Sequence, residues 1–366
     1  MQLESLEVEN FRNLLGNLAC EAGLNVLIGE NGQGKTNWLE AIYVLATSKS
    51  FKTPKLSELI RFGTELTLVR GSVRVSAEII RDLSVAIQGN VKSLSINGNK
   101  ETTGSYLGQL HTVVFIADEL EIIREVPEAR RRFLDSGIVS IHPPYLQIIT
   151  DYNRVIRQKN NLLQSAQSGQ VSSEKLLETL APWNEQLISL AGRVHKSRVR
   201  YVERLNAAFE RNLFGREELS IRYMSALEGK GDLSDYEALM AERLKIRLPA
   251  ELASGHSLIG THRDDLEILF DGHDIRKYGS AGQQRSALLL LLIANISVFH
   301  AQRGEYPLFL LDDIDAELDY PRIGRLLEFL DGKTQTFATT SKESFVEKFG
   351  QNARIFRIEN GRAESD

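Results

Sequence analysis

Leu24-Asn-Val-Leu-Ile28 runs directly into Gly29-Glu-Asn-Gly-Gln-Gly-Lys35-Thr36, and that junction decides the fold. The first five residues are apolar enough for a buried strand. Gly29, Glu30, Asn31, Gly32, Gln33, Gly34, Lys35 and Thr36 match the phosphate-binding pattern G-x-x-x-x-G-K-[ST]. Such a loop curls its backbone N–H groups around phosphate oxygens, and glycines leave room for the turn. The run Trp38 to Ala46 then reads as a helix whose positive end faces the phosphates. Lys35 is expected to reach the β and γ oxygens of ATP, with the Thr36 hydroxyl on Mg²⁺.

A second segment supplies acids. Leu308 to Leu311 is a short apolar run ending in Asp312 and Asp313, as in a buried parallel strand with carboxylates at its C-terminal edge. Asp312 is expected to hold Mg²⁺ through water, and Asp313 to polarise an attacking water. An aspartate at a strand end is also a common helix cap, so this pattern gains meaning only beside the glycine-rich loop. Ser280, Ala281, Gly282 and Gln283 open a third candidate, a helix N-terminus that can accept an anion.

Strand–helix alternation at both ends of the chain predicts an α/β fold with a partly parallel sheet. Residues 3–9 and 111–116 read as strands, as do 266–270 and 336–340, with strand character also near Leu258. Residues 66–96 are rich in Val, Ile and Ser with polar breaks, which predicts antiparallel strands, and Asn97-Gly98 marks a hairpin. After Pro127 the pattern becomes helical, and the polar stretch Gln167 to Ser173 separates two helical segments. Helices are also expected over 283–298 and 321–330.

The single cysteine, Cys20, excludes an intrachain disulfide and fits a reducing compartment. The acidic, alternating start is neither a signal nor a transit peptide, and the longest apolar run, Ala287 to Ala294, reads as a core helix rather than a membrane span. A net charge of −5 excludes a generally basic surface. Nucleic acid would therefore meet a local patch. The candidates are Arg130 and Arg131 and, on a later helix, Arg193, Lys196 and Arg200.

The glycine-rich loop, the acidic strand and Ser280-Ala-Gly-Gln-Gln-Arg285 together resemble the ABC-type ATPases. The resemblance places the signature Ser280–Gln283 against ATP held by a partner subunit, and Asp319 in the D-loop that crosses the dimer interface. Asn10-Phe-Arg-Asn13 narrows it to the SMC-like branch, which would set Arg12 and Asn13 beside the nucleotide. Thr261-His-Arg-Asp-Asp-Leu266, Arg130-Arg-Arg-Phe-Leu-Asp135 and Tyr152-Asn-Arg-Val-Ile-Arg157 narrow it further to the RecF family. The segment 116–127 departs from that family's usual pattern.

The resemblance implies an ABC-type P-loop ATPase head with a mixed sheet, flanking helices and an antiparallel β region, formed by 1–135 and 255–366. Residues 136–254 would form an inserted, mainly helical arm lobe. It further implies a cytoplasmic, nucleoid-associated protein that dimerises on ATP and grips double-stranded DNA near single-strand gaps. Such a protein would assist RecR and RecO in placing RecA. The rival is a divergent paralogue, a scaffold or transport ATPase without DNA binding. ABC transporter ATPases carry a switch histidine after the last core strand, whereas no histidine follows His300 here. With the short Asp313 as base, slow hydrolysis is expected.

Overall fold

A computed structural model describes residues 1–167, 173–210, 213–215 and 218–365. In chain order, β1 (Gln2–Phe11), β2 (Leu14–Ala19) and β3 (Leu24–Ile28) precede α1 (Lys35–Thr47). The strands β4 (Leu66–Arg74), β5 (Ile80–Gln88), β6 (Val91–Ile96) and β7 (Asn99–Glu101) follow, then α2 (Thr103–Tyr106) and β8 (Thr112–Phe115). A helical stretch comprises α3 (Glu121–Arg124), α4 (Pro127–Ile141), α5 (Tyr145–Gln167) and α6 (Ser173–Ala208). Next come β9 (Leu219–Met224), α7 (Tyr236–Ser254), β10 (Asp265–Phe270), β11 (His273–Asp274) and α8 (Ile275–Tyr278). The chain continues through α9 (Ala281–Arg303), β12 (Leu308–Leu311), α10 (Ile314–Glu317), α11 (Tyr320–Leu330) and β13 (Thr336–Thr340). It finishes with α12 (Glu343–Phe349), β14 (Ala353–Glu359) and β15 (Arg362–Ser365).

Two compact units result. The first, Met1–Leu120 with Leu288–Asp366, holds two six-stranded sheets. One sheet is antiparallel, in the order β2-β1-β4-β5-β6-β7. The other runs β15-β14-β3-β13-β12-β8 and is parallel apart from the β14–β15 hairpin. Helix α1 touches both sheets and buries Trp38, Leu39, Ile42 and Leu45 in their shared core. Each such side chain is worth about 1.5–3 kcal/mol in burial. The hairpin expected at Asn97-Gly98 joins β6 to β7, with φ 51° and 79° at the two residues. Those positive values suit Asn and Gly and match the strand twist.

The second unit, Glu121–Phe209 with Glu218–Ala287, packs α4 to α7 with the sheet β11-β10-β9. Helices α5 and α6 lie along each other, with Leu163, Leu176 and Leu180 in a small core between them. Residues 168–172 of the expected polar break lie outside the described residues.

Polar pairs organise this unit. Arg198 of α6 grips Asp135 of α4 through two bonds of 2.9 and 2.8 Å and donates to the Thr261 carbonyl at 2.8 Å. Tyr145 donates to the same Asp135 at 2.7 Å. Asp264 accepts from the Tyr223 hydroxyl at 2.5 Å and the Ala226 amide at 2.7 Å. Tyr152 meets His262 at 2.8 Å. In a low-dielectric interior such groups are costly unless paired, and here Arg198, Asp135 and Asp264 each take more than one partner.

Two differences from the sequence reading have clear causes. Leu258 is not in a strand: its N–H goes to the buried carboxylate of Glu251 at 2.8 Å, leaving no ladder to join. β9 is a strand that the sequence reading did not name; Leu219 and Ile221 alternate inward against β10. Among the described residues one helix, α9, is long and apolar enough to cross a membrane by length and composition, but most of it is buried within the protein. Its run Ala287 to Ala294 is buried throughout, as expected of a core helix.

Burial pushes the imidazoles of His262 and His195 down to about 4. Both are then neutral in the fold, while in the unfolded chain they charge below about 6.5. The stability tied to their neutral state is present above pH 6.5 and lost as pH falls toward 4. The urea midpoint should drop between pH 7 and 5, and His262→Asn should flatten that drop; an unchanged slope would contradict it.

Candidate nucleotide site

The parallel sheet sets the site. β3 ends at Ile28 and delivers Gly29–Gly34 at its C-terminal edge, where α1 begins at Lys35. β12 ends at Leu311 and delivers Asp312 and Asp313 at the same edge. β13 runs between these two strands.

Gly29 is required by close approach: a Cβ there would lie 2.3 Å from the Ile358 carbonyl oxygen. Gly34 has φ 109°, and a Cβ would press on Asn13 and Leu14. Gly32, at φ 82°, faces open space. Lys35 is only 7% exposed, and its ammonium donates to the carbonyls of Gly29 at 2.7 Å and Glu30 at 2.9 Å. Burial pushes its pKa down, while Asp313, Asp312 and Asp315 push it back up.

The Thr36 hydroxyl donates to Asp312 Oδ1 at 2.9 Å, joining loop to acidic turn. Asp313 takes φ 46°, caps α10 without using its side chain, and has its N–H bonded to Thr339 Oγ1 at 2.7 Å. Burial first, then Asp315 and Asp312, pushes the Asp313 carboxyl up, which favours a proton acceptor. Among the described residues no cluster of three or more His, Cys, Asp or Glu forms a metal cage. One hydroxyl and one carboxylate instead suit a small, hard cation that keeps waters and takes phosphate oxygens as its other ligands. The residues present therefore fit Mg²⁺.

Two turns border the loop. Arg12 and Asn13 form the tip of the β1–β2 hairpin. Asn13 accepts from Asn37 at 2.8 Å and donates weakly to the Gln33 carbonyl at 3.5 Å. Arg12 does not point freely outward: Glu40 clamps it at 2.5 and 2.9 Å. The second turn, Asn360-Gly361 between β14 and β15, gives its N–H groups to Gln33 Oε1 and the Gln33 carbonyl at 2.7 and 2.8 Å. A cleft of about 910 Å³ opens beside these turns, lined by Arg12, Asn13, Leu15, Phe62 and Asn360 among others. Asn31 lies exposed in the loop.

Sequence reasoning missed Glu40, Thr339 and the Asn360-Gly361 turn. Glu40 is 0% exposed within an apolar helix, and an acid among Leu39, Ala41 and Ile42 was its signal. The Asn-Gly dipeptide flanked by alternating residues signalled the turn.

In the second unit, Ser280 and Gln283 form a reciprocal capping box at the start of α9. The Ser280 N–H reaches Gln283 Oε1 at 2.9 Å, and the Gln283 N–H reaches Ser280 Oγ at 3.3 Å. Ala281 and Gly282 are the first residues of that helix, and Arg124 holds the adjacent Gln284 at 2.7 Å. In the first unit, Asp319 caps α11 by accepting the Arg322 N–H at 2.9 Å.

The basic candidates divide. Arg130 is 0% exposed and is not a phosphate contact: it pairs with Asp265 at 2.6 and 3.0 Å and donates to two backbone carbonyls. Arg131 is half-buried and is turned inward to the Asp264 carbonyl at 2.7 Å. Arg198, between the outer candidates, is buried on Asp135. Arg193, Lys196 and Arg200 are exposed along one face of α6.

This sheet order, with its glycine-rich loop and acidic turn, is that of an ABC-type P-loop ATPase head. Residues 2–364 match the family described as RecF/RecN/SMC N terminal domain. The chain is 34% identical over 371 residues to the DNA replication and repair protein RecF of Halothermothrix orenii, covering 99% of this chain and 98% of the relative. It is 36% identical over 372 residues to the protein of that name from Staphylococcus aureus strain JH9, covering 99% of each. Among solved structures, the recombination mediator protein RecF–ATPrS in the RecFOR pathway superposes with a TM-score of 0.89 at 34% identity, covering 100% of this chain and 98% of that one. The Smc head domain from Pyrococcus furiosus shares the fold, at a TM-score of 0.57 and 16% identity, covering 100% of this chain and 95% of that one. The chain belongs to the RecF family of that larger group.

The loop geometry separates two glycines. Gly29→Ala should lower the melting temperature sharply, because the clash is with backbone. Gly32→Ala should cost only about 1–2 kcal/mol, the penalty for a left-handed alanine. Thermal unfolding checks the order; equal losses would contradict it.

Proposed function

We propose that this chain is an ATP-dependent DNA-binding protein of recombinational repair. The observation that carries the proposal is the Thr36–Asp312 contact, which links the glycine-rich loop to the acidic turn. Near-full-length likeness to proteins named for DNA replication and repair supports the biological setting.

Lys35 and the loop amides hold the phosphates of ATP, and Thr36 and Asp312 hold Mg²⁺. When bound there, the ion would supply charge neutralisation to the phosphates. Asp313 orients the attacking water and accepts its proton. Its short side chain and the lack of a switch histidine make hydrolysis slow, so ATP serves chiefly as a clamp. Arg12 and Asn13 border the nucleotide, and the cleft beside them takes the sugar and base.

Ser280, Ala281, Gly282 and Gln283 present a helix N-terminus to the γ-phosphate held by a second copy, and Asp319 lies at the same interface. Dimerisation thus depends on ATP. Duplex DNA near single-strand gaps is gripped through Arg193, Lys196 and Arg200, by sequence-independent phosphate contacts. RecR, with RecO and RecA, would act on the same gapped DNA.

Anisotropy of a labelled gapped duplex tests this directly. Binding should appear with ATP, fade with ADP, and weaken with salt; replacing Arg193, Lys196 and Arg200 by alanine should flatten the salt slope by about 0.9 per lost contact. No binding in either nucleotide state would refute the DNA reading. Ser280→Arg should retain ATP binding yet stay monomeric by light scattering, and a normal ATP-dependent dimer would refute the shared site.

A further inference from the structure

We infer that Thr339 is a positioning residue for both acids of the site. The inference rests on the nucleotide-site reading above and deepens it.

Thr339 lies on β13, the strand between the one that delivers the glycine-rich loop and the one that delivers the acids. Its hydroxyl donates to Asp312 Oδ1 at 2.7 Å and accepts the Asp313 N–H at 2.7 Å. A hydroxyl can do both at once, and few other side chains of this size can. At 1% exposure, Thr339 has no competition from bulk water for these bonds.

Each bond has a separate consequence. Asp312 Oδ1 also accepts the Thr36 hydroxyl at 2.9 Å. When Thr36 turns toward a metal ion, Thr339 is the hydroxyl that still fixes the Asp312 carboxylate. Asp313 sits in the left-handed region at φ 46°, unusual for a residue with a side chain. The bond to Thr339 holds that peptide, and the Asp313 carboxylate is not spent on capping α10. The same side chain therefore sets the metal-side acid and the water-side acid in one register.

Thr339→Val keeps the shape and removes both bonds, whereas Thr339→Ser keeps the hydroxyl. The test compares wild type with both variants in two measurements. The first is affinity for a fluorescent ATP analogue in EDTA and across a Mg²⁺ titration. The second is steady-state ATP hydrolysis. For Thr339→Val, affinity in EDTA should match wild type. The Mg²⁺ needed for half-saturation should rise, and kcat should fall by about 10–100-fold with KM little changed, the usual scale for groups that orient a metal's ligands. Thr339→Ser should recover most of both. A Thr339→Val protein equal to wild type would overturn the inference. So would a valine variant that loses affinity in EDTA as well, or a serine variant as impaired as valine, since both describe a packing role. A wild-type protein that binds no nucleotide would instead overturn the site reading, and the inference with it.

Discussion

The structure turns on one register: three neighbouring parallel strands whose C-terminal ends lie at one sheet edge. β3 and β13 finish together, with Ile28 opposite Thr340, and β12 finishes two residues earlier, with Leu311 opposite Ala338 and Asp312 and Asp313 carrying the chain on to the same edge. From that edge spring a loop with amide donors, a threonine hydroxyl and two aspartates. A register slip would turn inward-facing side chains outward and break this meeting point. The apolar, fully buried β12 and the packing of α1 against both sheets hold the register in place. The core energy and the site geometry are thus the same arrangement viewed at different scales.

The second unit is built on a different logic. Its motifs Arg130-Arg-Arg-Phe-Leu-Asp135 and Thr261-His-Arg-Asp-Asp-Leu266 meet in the fold, joining helices to the β9–β10 pair. Buried ion pairs add little net stability over apolar packing, but they tolerate few alternative arrangements once one partner is fixed. The network thereby presents α6 with its exposed cations on one side and its buried arginine on the other. It also leaves the start of α9 to be capped by its own serine and glutamine.

What was legible in the sequence was local or periodic. The Gly29–Thr36 loop, the acidic strand end, the Asn97-Gly98 hairpin and the helical character after Pro127 depend on neighbours in the chain, so their patterns survive in one dimension. What was not legible depends on distant partners. Arg130 reads as a surface cation until Asp265 arrives from far along the chain. Thr339 is an ordinary strand residue until β12 is placed beside it. β14 and β15 look like a short tail, yet β14 pairs with β3, and their turn closes on the glycine-rich loop. Glu40 makes sense only once Arg12 and Ser50 converge on it.

The central claim is that this sheet edge is a Mg²⁺–ATP site served by Lys35. Isothermal titration calorimetry of ATP with Mg²⁺ into the intact protein tests it most directly. The account predicts saturable binding, one ATP per chain, largely lost in Lys35→Ala while the variant remains folded. No binding by the wild type, or equal binding by a folded Lys35→Ala, would contradict it.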